Sequence, residues 1–372
     1  MRVLVLNAGS SSLKASVLET IGLQTLARTE VSLGTDATRS EARRRSVNDV
    51  LQALRQSIDL ESVGAVGHRV VHGGTRFRTP VRIDAEVLAG VEALTEFAPL
   101  HNRVAADTIR AAQSAFPSLP QVAAFDTAFH ASLPPAGFVY PVPYRWYEEW
   151  GIRRFGFHGL SVTWALERAG VLLRKPSPEL GLVVAHLGSG CSVTAVWRGR
   201  SVDTSMGLTP LEGLMMGTRA GSVDPGILIY VLRTGRVKRE ELEAQLDHQS
   251  GLVGVSGRSA GMRELEQAAA AGDDRAKLAI EIFVRRAAAG IGAAATALPR
   301  LDAIVFTGGI GEHSGPTRGA IVSGLAALGV GAIGAAAATE DAVLSTAGTG
   351  PAVLRIEARE DAVIARQAEA AL

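Results

Sequence analysis

The feature that most constrains this chain is a repeated design. Residues 3–19, VLVLNAGSSSLKASVLE, run as an apolar strand, a turn of small residues and a second alternating strand. Residues 182–199, LVVAHLGSGCSVTAVWRG, do the same. At an offset of 179 residues Asn7 falls on His186, Gly9 on Gly188 and Ser10 on Ser189. That correspondence predicts an internal duplication: two α/β domains, each opening on a β-hairpin with a glycine/serine turn.

A turn free of bulky side chains presents backbone N–H groups to an anion, and Lys14 adds an ammonium beside the first one. An ordinary tight hairpin with a solvated lysine would read the same way. The spacing G-x-x-x-x-G-K-[ST] and the exit into a helix are both missing from the first turn, so it is not a Walker site. A third glycine turn, AIVFTGGIGEHS at 303–314, follows another apolar strand and leads into a helix over 317–328. Paired halves of this kind predict a nucleotide gripped in a cleft between two domains.

Apolar periodicity places helices over 43–57, 87–97, 102–115, 161–173, 239–249 and 273–297, and short strands over 65–71, 121–125 and 352–356. The segment RKPSPELG (174–181) reads as a surface loop near the seam between domains. The chain has 372 residues, 47% hydrophobic and 20% charged, with a net charge of +1. It can bury a large core, and it gives no electrostatic reason to expect nucleic acid or an anionic membrane as partner. A small molecule is the expected partner. The single cysteine, Cys191, cannot form an internal disulfide, and no charged and apolar leader precedes the first strand, so a cytoplasmic enzyme is expected. Residues 319–338 carry no charge over a length that could cross a bilayer. Their apolar residues are mostly alanine, five glycines interrupt them, and they read as a core helix followed by a glycine-rich turn. Only four of the 38 basic residues are lysines, which makes Lys14 more informative than any one arginine.

Four compact segments carry chemistry-bearing side chains. GHRVVHGG (67–74) holds His68, Arg69 and His72; FDTAFH (125–130) ends a strand on Asp126; RRFGFHGLS (153–161) sets His158 between Phe157 and Gly159; MGTRAGSVDPG (216–226) holds Arg219 between glycines. Each has a bland reading, as a helix cap or a hydrogen-bonded core histidine. Together they match phosphoryl transfer, which needs fixed cations, hydrogen-bond donors and a divalent metal with few protein ligands. No G-x-S-x-G elbow and no H-E-x-x-H pair supports a serine hydrolase or a zinc site.

In order, LNAGSSSLK, GHRVVHGG, FDTAFH, RRFGFHG, DTSMGLTPLEGLMMGTRAG and FTGGIGE resemble the signatures of the acetate kinases, within the acetate and sugar kinase, Hsp70 and actin superfamily. The resemblance spans essentially the whole chain. It implies an α/β fold of two duplicated ribonuclease H-like domains with an interdomain active-site cleft, the first formed by residues 1–130 plus 362–372 and the second by 131–361. It implies reversible, direct in-line transfer of the ATP γ-phosphoryl group to acetate, giving acetyl phosphate and ADP, with Mg²⁺ or Mn²⁺. It further implies a homodimer, no membrane or nucleic-acid partner, and a place in acetyl-CoA biosynthesis.

Carried over by motif, Arg69 and Arg219 would hold the carboxylate and the phosphoryl group, with Asp126 and His158 as the other catalytic residues. Asn7, Asp126 and Glu360 would position the metal. Ser10, Ser12 and Lys14 would line the phosphate path. The second hairpin, His186, Leu187, Gly188, Ser189 and Gly190, would cradle the outer phosphates. Gly261, Met262, Arg263, Gly308, Gly309, Ile310 and Gly311 would meet the α-phosphate and nucleoside. Val71, Leu100, Phe157 and Pro210 would form the acyl pocket.

The chain departs from the family pattern at four places: Ser189 for asparagine in the second hairpin, Gly261 for aspartate, GLSVTW for GTSH after His158, and Arg359 for asparagine. These leave the nucleotide preference open, and REDAVIAR around Glu360 reads equally as a solvated helix start. A propionate or butyrate kinase is the nearest alternative, because one methylene changes binding by only ~1 kcal/mol. An actin-like or chaperone-like nucleotide clamp is the alternative of another class, and it would have no use for Arg69, His158 and Arg219 together.

Overall fold

The computed structural model describes all 372 residues except 10–11, 33–39, 334–338 and 349, and only the backbone at Ser40, Pro99 and Leu100. The described chain divides into two compact units. Unit 1 comprises Met1–Ala131, Phe157–Trp164 and Arg359–Leu372; unit 2 comprises Ser132–Gly156 and Ala165–Ala358.

Unit 1 is built on β1 (Arg2–Ala8), β2 (Ser12–Glu19), β3 (Gln24–Ser32), β4 (Ala65–Val70), β5 (Val81–Arg82) and β6 (Gln121–Phe125), in the order β3-β2-β1-β4-β6-β5. The first three strands form an antiparallel meander, and β1, β4 and β6 run parallel. The unbroken apolar run in β1 follows from burial on both faces, since side chains alternate along a strand. Leu4 and Leu6 pack with Val47, Leu51 and Leu54 of the helix Ser40–Arg55. Val3 and Val5 pack on the other face with Ala362–Ala365 of the C-terminal helix Glu360–Ala370, which returns to this unit.

Unit 2 repeats the plan with β7 (Gly181–Leu187), β8 (Cys191–Trp197), β9 (Arg200–Thr204), β10 (Ala303–Thr307), β11 (Ala342–Val343) and β12 (Ala352–Arg355). Its order, β9-β8-β7-β10-β12-β11, matches that of unit 1 strand for strand. Each meander also carries a register shift in its second strand, at Val17/Leu18 and at Ala195/Val196. The long helix Asp274–Ala295 buries Ala276, Ala279, Phe283, Ala287, Ile291 and Ala294, the three- and four-residue spacing of one helical face. Asp273 caps it by accepting the N–H of Ala276, an interaction of about 1 kcal/mol.

Two expectations need correction. The segment 174–181 is not where the units meet in sequence: the chain passes between them at 131/132, 156/157, 164/165 and 358/359, so Phe157–Trp164 packs in unit 1 although the sequence reading puts 131–361 in one piece. The passage at 164/165 is invisible to turn chemistry because it falls inside the continuous helix Gly159–Leu173. The helix expected over 317–328 ends early: it spans Gly315–Ser323 and gives way to a 3₁₀ turn at Ala326–Leu328 and a left-handed Gly329, while the remainder of the 319–338 stretch from 334 on lies outside the described residues. Among the described residues no helix is long and apolar enough to cross a membrane.

Candidate active site

In unit 1 three neighbouring parallel strands end side by side and deliver polar residues at their carboxyl ends, where open α/β sheets place ligands. β1 carries Asn7 one residue before its end, β4 carries Arg69 one residue before its end and β6 leads directly into Asp126. Arg69 holds Asp126 with Nη2 2.6 Å from Oδ2 and Nε 3.1–3.2 Å from both carboxylate oxygens. Its Nη1 donates to Asn7 Oδ1 at 3.2 Å and lies 3.6 Å from Glu360 Oε2. Asn7 Nδ2 donates to the same Glu360 oxygen at 2.9 Å.

Asp126 is fully buried, and burial pushes its carboxyl up, to about 6; the Glu360 charge adds to this and the Arg69 guanidinium opposes it. Burial works against the charge on Arg69, but the Asp126 and Glu360 carboxylates more than offset it and hold its pKa above the ordinary value. One guanidinium against two carboxylates leaves an excess negative charge among hard oxygen donors. That donor set fits Mg²⁺, which binds a few carboxylates and keeps waters. Among the described residues no three His, Cys, Asp or Glu side chains gather as a metal site by themselves. Such a cation would depend on Asn7, Asp126 and Glu360 together.

His158 joins this cluster through its backbone, which adopts a left-handed φ of 58° and donates its N–H to Asp126. The next N–H, of Gly159, is 2.9 Å from the Asp126 carbonyl oxygen. A Cβ at residue 159 would stand 2.2 Å from that oxygen, so only glycine fits there. Asp126 therefore sets the turn that presents His158.

In unit 2 the turn after β7 has three residues outside the ladder, Gly188 to Gly190, closed by Gly188 N–H to the Gly190 carbonyl at 3.0 Å. Its counterpart after β1 is closed by Gly9 N–H to the Ser12 carbonyl at 2.9 Å. Gly217 donates to the Ser189 carbonyl at 3.2 Å, which places the Met216–Arg219 loop against the hairpin turn. Arg219 Nη1 donates to the Pro210 carbonyl at 2.6 Å. Burial lowers the pKa of Arg219, with Asp247 and then Cys191 opposing. The GGIG segment closes on the same turn. Gly308 has φ 77°, and a Cβ there would lie 2.9–3.1 Å from the Leu187 backbone. The geometry of unit 2 thus gathers the hairpin, the Arg219 loop and the third glycine turn.

The model of the Acetokinase family matches residues 2–366. The chain belongs to this family. It is 45% identical over 357 residues to an acetate kinase of Cyanothece sp., covering 88% of this chain and 87% of that one. It is 47% identical over 346 residues to an acetate kinase of Deinococcus radiodurans, covering 89% and 87%. Among solved structures, a propionate kinase from Francisella tularensis matches with a TM-score of 0.89 and 37% identity over 100% of both chains. The Porphyromonas gingivalis acetate kinase matches with a TM-score of 0.89 and 33% identity over 100% and 99%.

The structure brings together Asn7, Arg69, Asp126, Glu360 and the His158 backbone of this acetokinase-family chain in unit 1. Lys14 is exposed on β2 directly opposite Asn7 in register, and Ser12 opens that strand. Val71 is buried next to His72, whose ring meets Phe157 edge-on at 5.5 Å. Ser10 and the Leu100 side chain fall outside what is described. In unit 2, Gly261 caps the helix Met262–Ala270, with Met262 buried and Arg263 exposed; the Ala260 carbonyl borders Gly217. Gly309, Ile310 and Gly311 continue the short helix Gly308–His313.

Three histidines of the quoted segments make hydrogen bonds that hold structure. His68 Nε2 donates to Gln121 Oε1 at 2.6 Å, His72 Nδ1 accepts the Gly74 N–H at 3.0 Å, and His130 Nε2 donates to the Phe157 carbonyl at 2.9 Å. Burial pushes both His68 and His130 down to about 4, so they are neutral at pH 7. Sequence reading missed Asn102, which brackets the His72 backbone by accepting its N–H at 3.0 Å and donating to its carbonyl at 2.8 Å. It also missed Glu212, which Arg154 Nη2 meets at 2.9 Å and which Tyr140 also hydrogen-bonds. No spacing rule marks either of them, because their partners are distant in sequence.

Proposed function

We propose that this protein is an acetate kinase that transfers the γ-phosphoryl group of ATP directly and reversibly to acetate. The observation that carries the reading is the Asn7–Arg69–Asp126–Glu360 cluster with the His158 turn locked onto Asp126. A carboxylate is already an anionic nucleophile and needs no strong general base. What the reaction needs is two anions held in line with their charge neutralised.

In this reading Arg69 and Arg219 hold the incoming carboxylate and the transferring phosphoryl group. The planar guanidinium fork suits both at two points. His158 donates to equatorial phosphoryl oxygens. The His186–Gly190 turn, Ser10, Ser12 and Lys14 hold the outer phosphates, while Gly261, Met262, Arg263 and Gly308–Gly311 meet the nucleoside side. Val71, Leu100, Phe157 and Pro210 are the residues assigned to the acyl group. Asn7, Asp126 and Glu360 would hold Mg²⁺, which would neutralise phosphate charge and orient the oxygens.

The Francisella relative, a propionate kinase, supports a second reading in which short acids other than acetate are accepted. Val71, only 6% exposed, favours the smaller acid, because a smaller residue at that position of the acyl pocket would admit a longer chain. A homodimer is supported by Ile227, Ile229, Tyr230 and Leu232, which the helix Pro225–Arg233 leaves 39–63% exposed. The composition fits a cytoplasmic protein. Trapping acyl phosphate with hydroxylamine across acetate, propionate and butyrate tests the function. Acetyl hydroxamate formed with ATP and Mg²⁺ is expected, and no hydroxamate from any acid would defeat the reading.

A further inference from the structure

Glu312, the last residue of the GGIGE motif, has no role in the site as drawn so far, yet it is a buried carboxylate in unit 2. Its Oε1 accepts the Gly308 N–H at 2.9 Å and the Ala358 N–H at 2.9 Å. Its Oε2 lies 3.8 Å from Nη2 of Arg355, itself buried on β12. Arg318 holds the same turn from behind, with Nη1 2.9 Å from the carbonyls of Gly311 and Glu312. Capping the short helix would account for the bond to Gly308. It does not account for Ala358, which is 46 residues away in sequence. Ala358 is the last residue before Arg359 and Glu360, where the chain enters unit 1.

We infer that Glu312 is a positioning residue that ties the nucleotide-facing turn Gly308–Gly311 to the segment delivering Glu360. One carboxylate oxygen fixes both backbones, so a ligand that orders the glycine turn also orders residues 355–358. The inference rests on the nucleotide reading of the glycine turn given above. It adds that nucleotide occupancy is felt at the chain passage leading to Glu360.

Hydrogen exchange on the full-length enzyme tests it. Adding ADP is expected to slow exchange in peptides covering both 303–313 and 352–360. Slowing in 303–313 alone overturns the coupling, and no slowing in either segment removes the nucleotide reading and the coupling with it. Glu312→Asp, whose shorter side chain cannot reach both N–H groups, is expected to raise the ATP KM by at least ~10-fold, in line with an unmet buried donor, while the acetate KM stays within about 2-fold. Glu312→Gln keeps an acceptor oxygen and is expected to restore most of the affinity. Unchanged KM values in a Glu312→Asp protein that merely melts earlier would overturn the proposal. If that variant fails to fold, the wild-type exchange result decides.

Discussion

Arg69 and Asp126 form a forked ion pair, with Nη2 2.6 Å and Nε 3.1 Å from Asp126 Oδ2, although 57 residues separate them. The pair sits at the carboxyl ends of adjacent parallel strands, and it fixes the guanidinium plane before any ligand arrives. Such a pair is better evidence for pre-organisation than for stability, because burial costs both charges their hydration.

Removing one partner should therefore cost more than removing both. Arg69→Ala leaves Asp126 buried without its cation and is expected to lose about 3–5 kcal/mol of stability. Adding Asp126→Asn to Arg69→Ala should recover part of that loss. Urea unfolding of the two single variants and the double variant measures the coupling, and simple additivity would count against it.

His158 needs a residue that tolerates the left-handed region as well as an imidazole. His158→Asn is expected to keep the melting temperature within a few degrees while turnover falls by ~10²-fold, the scale of losing one transition-state donor. His158→Val should also lower the melting temperature, since a β-branched residue at φ 58° is strained. Parallel melting and steady-state measurements separate the two effects.

The turn at Gly308 makes a similar demand in unit 2. Gly308→Ala places a Cβ about 2.9 Å from the Leu187 carbonyl oxygen in a backbone with φ 77°. The ATP KM is expected to rise by roughly 10-fold, on the scale of the left-handed penalty, with the acetate KM unchanged. Equal effects on both substrates would argue against a nucleotide role.

Acid should unfold the protein partly through two buried histidines. His68 and His130 have folded pKa values of about 4 against an ordinary 6.5. The unfolded chain takes up these protons first as pH falls. Their contribution is thus complete above pH 6.5 and is lost progressively between 6.5 and 4, on the order of 3 kcal/mol each. His130→Gln keeps a donor for the Phe157 carbonyl without a titrating ring. Its stability should fall less steeply from pH 7 to pH 5 than that of the wild type, and identical slopes would contradict the assignment.

Much of the fold can be read from the sequence because local pattern and tertiary burial agree. The apolar run of β1 is continuous because Leu4 and Val5 face different but equally dry layers. The duplicated hairpins stand out because the same pattern of apolar strand, small-residue turn and alternating strand recurs at an offset of 179 residues. Less legible are features set by distant partners. Nothing near Asn7 announces Glu360, 353 residues away, and nothing near Glu312 announces Ala358. His72 looks like chemistry in a motif, yet its backbone is held by Asn102, and His130 supports the Phe157 carbonyl. The passage at 164/165 escapes detection because a helix runs through it without a break.

The central claim of the proposed function is that the guanidinium groups of Arg69 and Arg219 neutralise the charge between a carboxylate and a phosphoryl donor. Synthesis of ATP from acetyl phosphate and ADP with Mg²⁺, followed in the wild type, Arg69→Ala and Arg219→Ala, tests it most directly. The wild type should form ATP readily, and each folded variant should be slower by at least ~10²-fold in kcat. A wild type that makes no ATP, or variants that turn over at near-normal rates, would contradict it.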